Sequence, residues 1–196
     1  SWIVVAARTT YQAIADIDDD GSYNVTYNSD LTGGTLSITP LPGTEQVLPS
    51  FPDGVVTFTN GETNSAHLKG FTLINGTGNW IADFNAEEDG GGIFCYSSNP
   101  TLSYLIIYDN HAALYGGGVF LWDSSPIFSN VVISNNEAAG GISNDPNVGS
   151  GIYSGGNSNP VITNTIIWGN SPESIYINYD YYGIVLPIIT YSDIEG

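Results

Sequence analysis

Apolar residues along this chain come in runs of at most about six positions, and each run is closed by Gly, Asn, Ser or Pro. One arrangement of these runs returns three times: a glycine cluster, a short apolar strand, a Ser/Asn-Pro corner, a second apolar strand and an asparagine. It reads Gly90-Gly91-Gly92-Ile93-Phe94 to Pro100, Leu105-Ile106-Ile107 and Asn110, then Gly116-Gly117-Gly118-Val119-Phe120 to Pro126, Val131-Val132-Ile133 and Asn136. The third copy is Gly149-Ser150-Gly151-Ile152-Tyr153 to Pro160, Thr165-Ile166-Ile167 and Asn170. The clusters begin at 90, 116 and 149, so the intervals are 26 and 33 residues, the second lengthened by the polar run from Glu137 to Val148. A repeat that tolerates insertion marks a solenoid, in which each unit buries its apolar face against its neighbours.

Helical periodicity is nearly absent, and Val, Ile, Thr, Tyr and Phe dominate the short runs, so the pattern predicts an all-β chain. In a β-helix, inward side chains stack on their equivalents one rung away, and Asn110, Asn136 and Asn170 are expected to form an amide ladder along the axis. The glycines before each first strand supply positive φ or close backbone approach, and the prolines sit at the start of a strand, where a missing N–H costs least. Weaker copies lie at Leu68 to Leu73 and Ile189 to Ile194, both aligning with Leu102 to Ile107. The expectation is about five coils over residues 55–196, preceded by an irregular N-terminal cap or irregular first coils over residues 1–54. Solenoid ends need cover, because an open rung offers unpaired N–H and C=O groups. No capping helix or charged terminal coil is legible near Gly196, so an exposed end is expected there.

The GGGI, NP and paired-isoleucine elements, the preceding LKGFTLINGTG and the closing IITYSDIEG resemble the right-handed parallel β-helix repeats, pectate-lyase-like and similar to polymorphic outer-membrane proteins, of large secreted or surface-anchored bacterial proteins. The resemblance covers roughly residues 55–196. It implies a right-handed parallel β-helix, an extracellular or cell-surface location and often a place within a longer polypeptide.

Charge narrows the partners. Two basic residues, Arg8 and Lys69, stand against twenty acidic ones, for a net charge of −18. Nucleic acid and anionic lipid depend on Lys/Arg neutralisation, so neither is an expected partner. Apolar runs fall well short of the roughly 20 residues of a spanning helix, which predicts no membrane insertion. An apolar content of 41% supports a folded core. Ser1, with no basic segment after it, suits a mature chain whose signal peptide has been removed. The single Cys95 is expected to pack inside as a small apolar residue.

Candidate chemistry is confined to a few places. Asp16, Asp18 and Asp20, ahead of Gly21, match the opening of a calcium loop in which alternate carboxylates converge on a hard cation. Tyr27 stands where the closing Glu of an EF-hand belongs, which leaves a shorter calcium turn or a solvated acidic turn. Glu87, Glu88 and Asp89, with Asp83 nearby, form a second acidic group. Lyase chemistry on a uronate calls for a basic residue, and only Arg8 and Lys69 exist; the carboxylates of the repeats are scattered singly rather than paired as hydrolysis requires. His67 and His111 have no triad pattern. Tyr179, Tyr181 and Tyr182 crowd one loop as candidates for stacking on sugar rings, with Trp80, Trp122 and Trp168 elsewhere, Trp122 and Trp168 equally suited to packing between coils. The strongly apolar opening, Trp2, Ile3, Val4 and Val5, is a candidate for strand addition to a neighbouring subunit. The expected function is therefore a non-enzymatic extracellular solenoid: a stalk, an adhesin segment or a fibre subunit that self-associates end to end. The rival is a carbohydrate-binding or polysaccharide-cleaving module, with calcium the one cofactor suggested.

Overall fold

The computed structural model describes residues 55–81, 86–140, 148–178 and 186–196, together with the backbone of four short strands before residue 55; for 79–81 and 86–88 it describes backbone only. Five coils stack on one another, each built from three short strands. The first strands are Val56–Phe58, Ile93–Tyr96, Val119–Trp122, Ile152–Gly155 and Ile175–Ile177, which hydrogen-bond in that order as one parallel sheet. The second sheet takes His67–Lys69, Thr101–Ser103, Ile127–Ser129, Val161–Thr163 and Ile188–Thr190. The third takes Thr72–Ile74, Ile106–Tyr108, Val132–Ser134, Ile166–Trp168 and Asp193–Ile194. Ser37–Ile38 and Val47–Leu48 add a sixth parallel strand to the second and third sheets. Ile3–Val5 pairs antiparallel with Ala13–Ala15, and Asn79–Ile81 with Ala86–Asp89.

Strand alternation decides what enters the rod. In the second sheet the middle residue points inward, so Leu68, Leu102, Phe128, Ile162 and Ile189 stand in one register column. In the third sheet the column is Leu73, Ile107, Ile133, Ile167 and Ile194. The alignment of Leu68 to Leu73 and Ile189 to Ile194 with Leu102 to Ile107 is thus the structural register. The first sheet adds Val56, Ile93, Val119, Ile152 and Ile175, and beside them Phe58, Cys95, Leu121, Ser154 and Ile177. Most of these side chains are fully buried in one continuous core, Cys95 among them. Each buried Leu, Ile, Val or Phe contributes about 1.5–3 kcal/mol of transfer free energy, so the stack of columns holds the rod together.

The corners are satisfied by side chains as well as backbone. Asn136 Oδ1 accepts from Asn110 N (3.0 Å) and Asn110 Nδ2 (2.9 Å), and Asn170 Oδ1 accepts from Asn136 N (3.0 Å) and Asn136 Nδ2 (3.0 Å). Each amide nitrogen also donates to a carbonyl of the coil before, at Leu73, Ile107 and Ile133 respectively. The expected asparagine ladder is present. A second, hydroxyl ladder runs along the Ser-containing corner: Gly61 N donates to Ser98 Oγ, Ser98 N to Ser124 Oγ and Ser124 N to Ser158 Oγ. Pro100, Pro126 and Pro160 follow that corner, and each carbonyl accepts from the first strand residue of the next coil, Ile127, Val161 and Ile188.

Glycine is required where coils touch backbone to backbone. A Cβ on Gly118 would lie 2.6 Å from the carbonyl oxygen of Gly151, 3.0 Å from Asn136 Nδ2 and 3.0 Å from Ile133 Cγ2, atoms held by the ladders themselves. Gly116 instead needs its positive φ of 68° to turn the chain into the strand.

Candidate functional site

The residues singled out by sequence are distributed unevenly over the described structure. Asp16, Asp18 and Asp20, Trp2, and Tyr179, Tyr181 and Tyr182 lie outside the described residues. Ile3, Val4 and Val5 form a strand whose partner in the same chain is Ala13–Ala15, with Ile3 opposite Ala15 and Val5 opposite Ala13. Of the second acidic group, Asp83 and the side chains of Glu87 and Glu88 are likewise outside the description. Asp89 is 3% exposed, and its Oδ1 accepts from Tyr115 N at 3.0 Å. Burial pushes its carboxyl up from 3.8 to about 7, against the lowering effect of the Tyr115 N–H. Among the described residues no cluster of three or more His, Cys, Asp and Glu side chains is present.

Beside Asp89, the outer face of the first sheet carries an aromatic column. Phe94 stacks on Phe120 with centroids 5.0 Å apart, Phe120 on Tyr153 at 5.3 Å, and Tyr153 meets Tyr176 at 5.7 Å. Tyr115 closes over Tyr153 at 4.6 Å, and Trp122 lies alongside Phe120 at 6.4 Å. Burial pushes the Tyr153 hydroxyl well above its ordinary range, although it accepts a 2.7 Å hydrogen bond from Asn178 Nδ2. These rings are packed into one another, and Trp122, partly buried, packs against the column.

The outer face of the third sheet is different. Its inward column is fully buried from Leu73 to Ile167, and the residues flanking that column face out: Ile106 and Tyr108, Val132 and Ser134, Ile166 and Trp168 on three successive coils. Trp168 is 51% exposed, Ile166 47%, Ile106 45% and Tyr108 37%. Sequence reasoning noticed Trp168 but missed this strip, although its signal is in the chain. In Leu105-Ile106-Ile107 and Thr165-Ile166-Ile167-Trp168 more consecutive residues are apolar than one face of a strand can bury.

A third feature is polar. Thr63, Asn64 and Ser65 extend the first coil at its Ser-type corner, and with Asn99 and Ser125 they line an open groove of about 430 Å³. Hydroxyls and amides within this groove largely bond one another: Thr63 Oγ1 with Ser65 Oγ, and Asn99 Oδ1 with Ser125 N. Among the described residues no helix is long and apolar enough to cross a membrane.

Comparison with known proteins agrees with this geometry. A family model described as a right-handed β-helix region matches residues 50–186. No curated protein and no solved structure matches the chain. With that match spanning most of its length and parallel coils in continuous register, the chain belongs to the right-handed β-helix family.

Proposed function

We propose that this chain is a non-enzymatic structural solenoid that works outside the cell, as a surface stalk, an adhesin segment or a fibre subunit, and that it extends by strand addition at its ends. The observation that carries the reading is the last described coil. Ile175–Ile177, Ile188–Thr190 and Asp193–Ile194 pair on one edge only among the described residues. Ile189 stands in the inward column of the second sheet yet is 41% exposed. That face is an apolar cross-section whose strand edges pair with no further strand among the described residues, and a further coil fits it, whether contributed by the same polypeptide or by a neighbour. Ile3–Val5, paired on one edge with Ala13–Ala15, is the candidate strand from a neighbour, and Asp16, Asp18 and Asp20 are candidates to brace that region through calcium.

Electron microscopy and sedimentation of the native material test the reading. Expected are rods that lengthen with concentration, and an Ile189→Lys variant that stays short. A monodisperse particle unaffected by concentration or by Ile189→Lys overturns end-on extension. The rival, a polysaccharide-cleaving module, is separated by incubating the protein with acidic and neutral polysaccharides with and without calcium; metal-dependent depolymerisation defeats the structural reading.

A further inference from the structure

We infer that the outer face of the third sheet is a binding strip for a neutral, extended β-linked polysaccharide, lying along the rod axis with sugar rings on Tyr108 and Trp168. Register supplies the geometry. Tyr108 pairs with Ser134, and Ser134 with Trp168, so the two rings project from the same strand position two coils apart. Parallel strands lie about 4.8 Å from one another, which places the two backbones roughly 9.6 Å apart along the axis. An extended β-linked hexopyranose chain turns over at each unit, so one face of the sugar returns every second residue, a period close to two rungs. Ser134, between the aromatics, is small enough to admit the intervening unit and offers it a hydroxyl. Alongside runs the row Ile106, Val132 and Ile166, which gives the strip an apolar floor.

Charge selects among occupants. The chain carries a net charge of −18, yet the outward positions of this sheet are uncharged from Thr72 and Ile74 through Ile166 and Trp168. Carboxylates stand at the margins of the strip: exposed Asp109 follows Tyr108, and at the far end Asp193 stands opposite Ile166 with Glu195 after it. An anionic polymer is repelled by the surroundings, and a second copy of this chain brings the same negative charge with it. A neutral polysaccharide meets neither penalty; it presents apolar C–H faces to the rings and hydroxyls to the acidic rim. The strip exists on a single rod and does not depend on whether rods join at their ends.

The test is gel retardation of the full chain in hydroxyethylcellulose and pull-down on microcrystalline cellulose, with polygalacturonate as the acidic control. The wild type is expected to be retarded by the neutral glucan and not by polygalacturonate. Trp168→Ala and Tyr108→Ala are each expected to weaken binding about tenfold, with Trp168→Phe retaining most of it. Both side chains are exposed, so circular dichroism melts of the variants should match the parent. Absence of retention by the neutral β-glucans, or retention that survives the double alanine variant, overturns the proposal. So does sedimentation showing that the wild type dimerises and that Trp168→Ala abolishes the dimer, which would assign the strip to a second copy.

Discussion

At the scale of single residues, the rod depends on side chains that answer the backbone of another coil. Asn136 accepts from Asn110 N and Nδ2 and donates to Ile107 O and Asn170 Oδ1, all within the interior. Replacing it with alanine strands several buried partners at once, at about 1–3 kcal/mol for each group left unsatisfied. Asn136→Ala should therefore lower stability by about 3 kcal/mol or more, read as a drop in the denaturation midpoint. Ser154 makes the opposite case. It occupies an inward column between Leu121 and Ile177, and its Oγ is buried with no hydrogen-bond partner among the described residues. Ser154→Ala should raise stability by about 1 kcal/mol in the same titration, because it removes an unpaid desolvation. The asparagine ladder was legible in the chain from its spacing alone. The serine ladder was hidden, since Ser is common at corners for local reasons and nothing in its identity says that its oxygen serves the coil before.

At the scale of elements, three-residue strands were legible as apolar bursts, but which residue of a burst faces inward was not. Ile106 and Ile107 read alike in sequence, yet Ile107 is fully buried and Ile106 is exposed, because a strand shows alternate residues to opposite faces and the phase is set by the corner at Tyr104, whose φ is 52°. The strand Ala86–Asp89 brings a different property, a buried carboxyl delivered beside Tyr115. With the folded value near 7 and the unfolded one at 3.8, folding binds a proton across that interval, so stability falls as pH rises from about 4 to about 7 and levels off above. Asp89→Asn retains an oxygen for Tyr115 N and removes the titration. The variant should match the parent near pH 4 and exceed it by a margin that grows through neutrality, on the order of 2–4 kcal/mol at pH 8. Parallel thermal melts across that range check it; a margin that does not vary with pH excludes Asp89 as the source.

At the scale of the whole molecule, the rod and its coil number were legible because a repeat states its own register, whereas the candidate calcium turn and the tyrosine loop fall outside the repeat and outside the described residues. A chain with a net charge of −18 and an apolar end is held between two tendencies: burial of the end favours association, and long-range repulsion opposes it. Since the Debye length shrinks from about 30 Å at 0.01 M to about 8 Å at 0.15 M, rods should lengthen when salt is raised over that interval. Light scattering that stays flat across it would leave the charge without a role in assembly. The asparagine ladder adds a further consequence. Each Asn side-chain oxygen in it accepts from the coil before, and the amide nitrogens of Asn110 and Asn136 reach the oxygen of the coil after, so the row of amides has a sense and its two directions are chemically unlike. An end-on contact that continues this row joins the leading end of one rod to the trailing end of another, with the same amide hydrogen bonds at the junction as inside. Such a junction never closes into a symmetric pair; it leaves the next site open, and growth along a single axis follows.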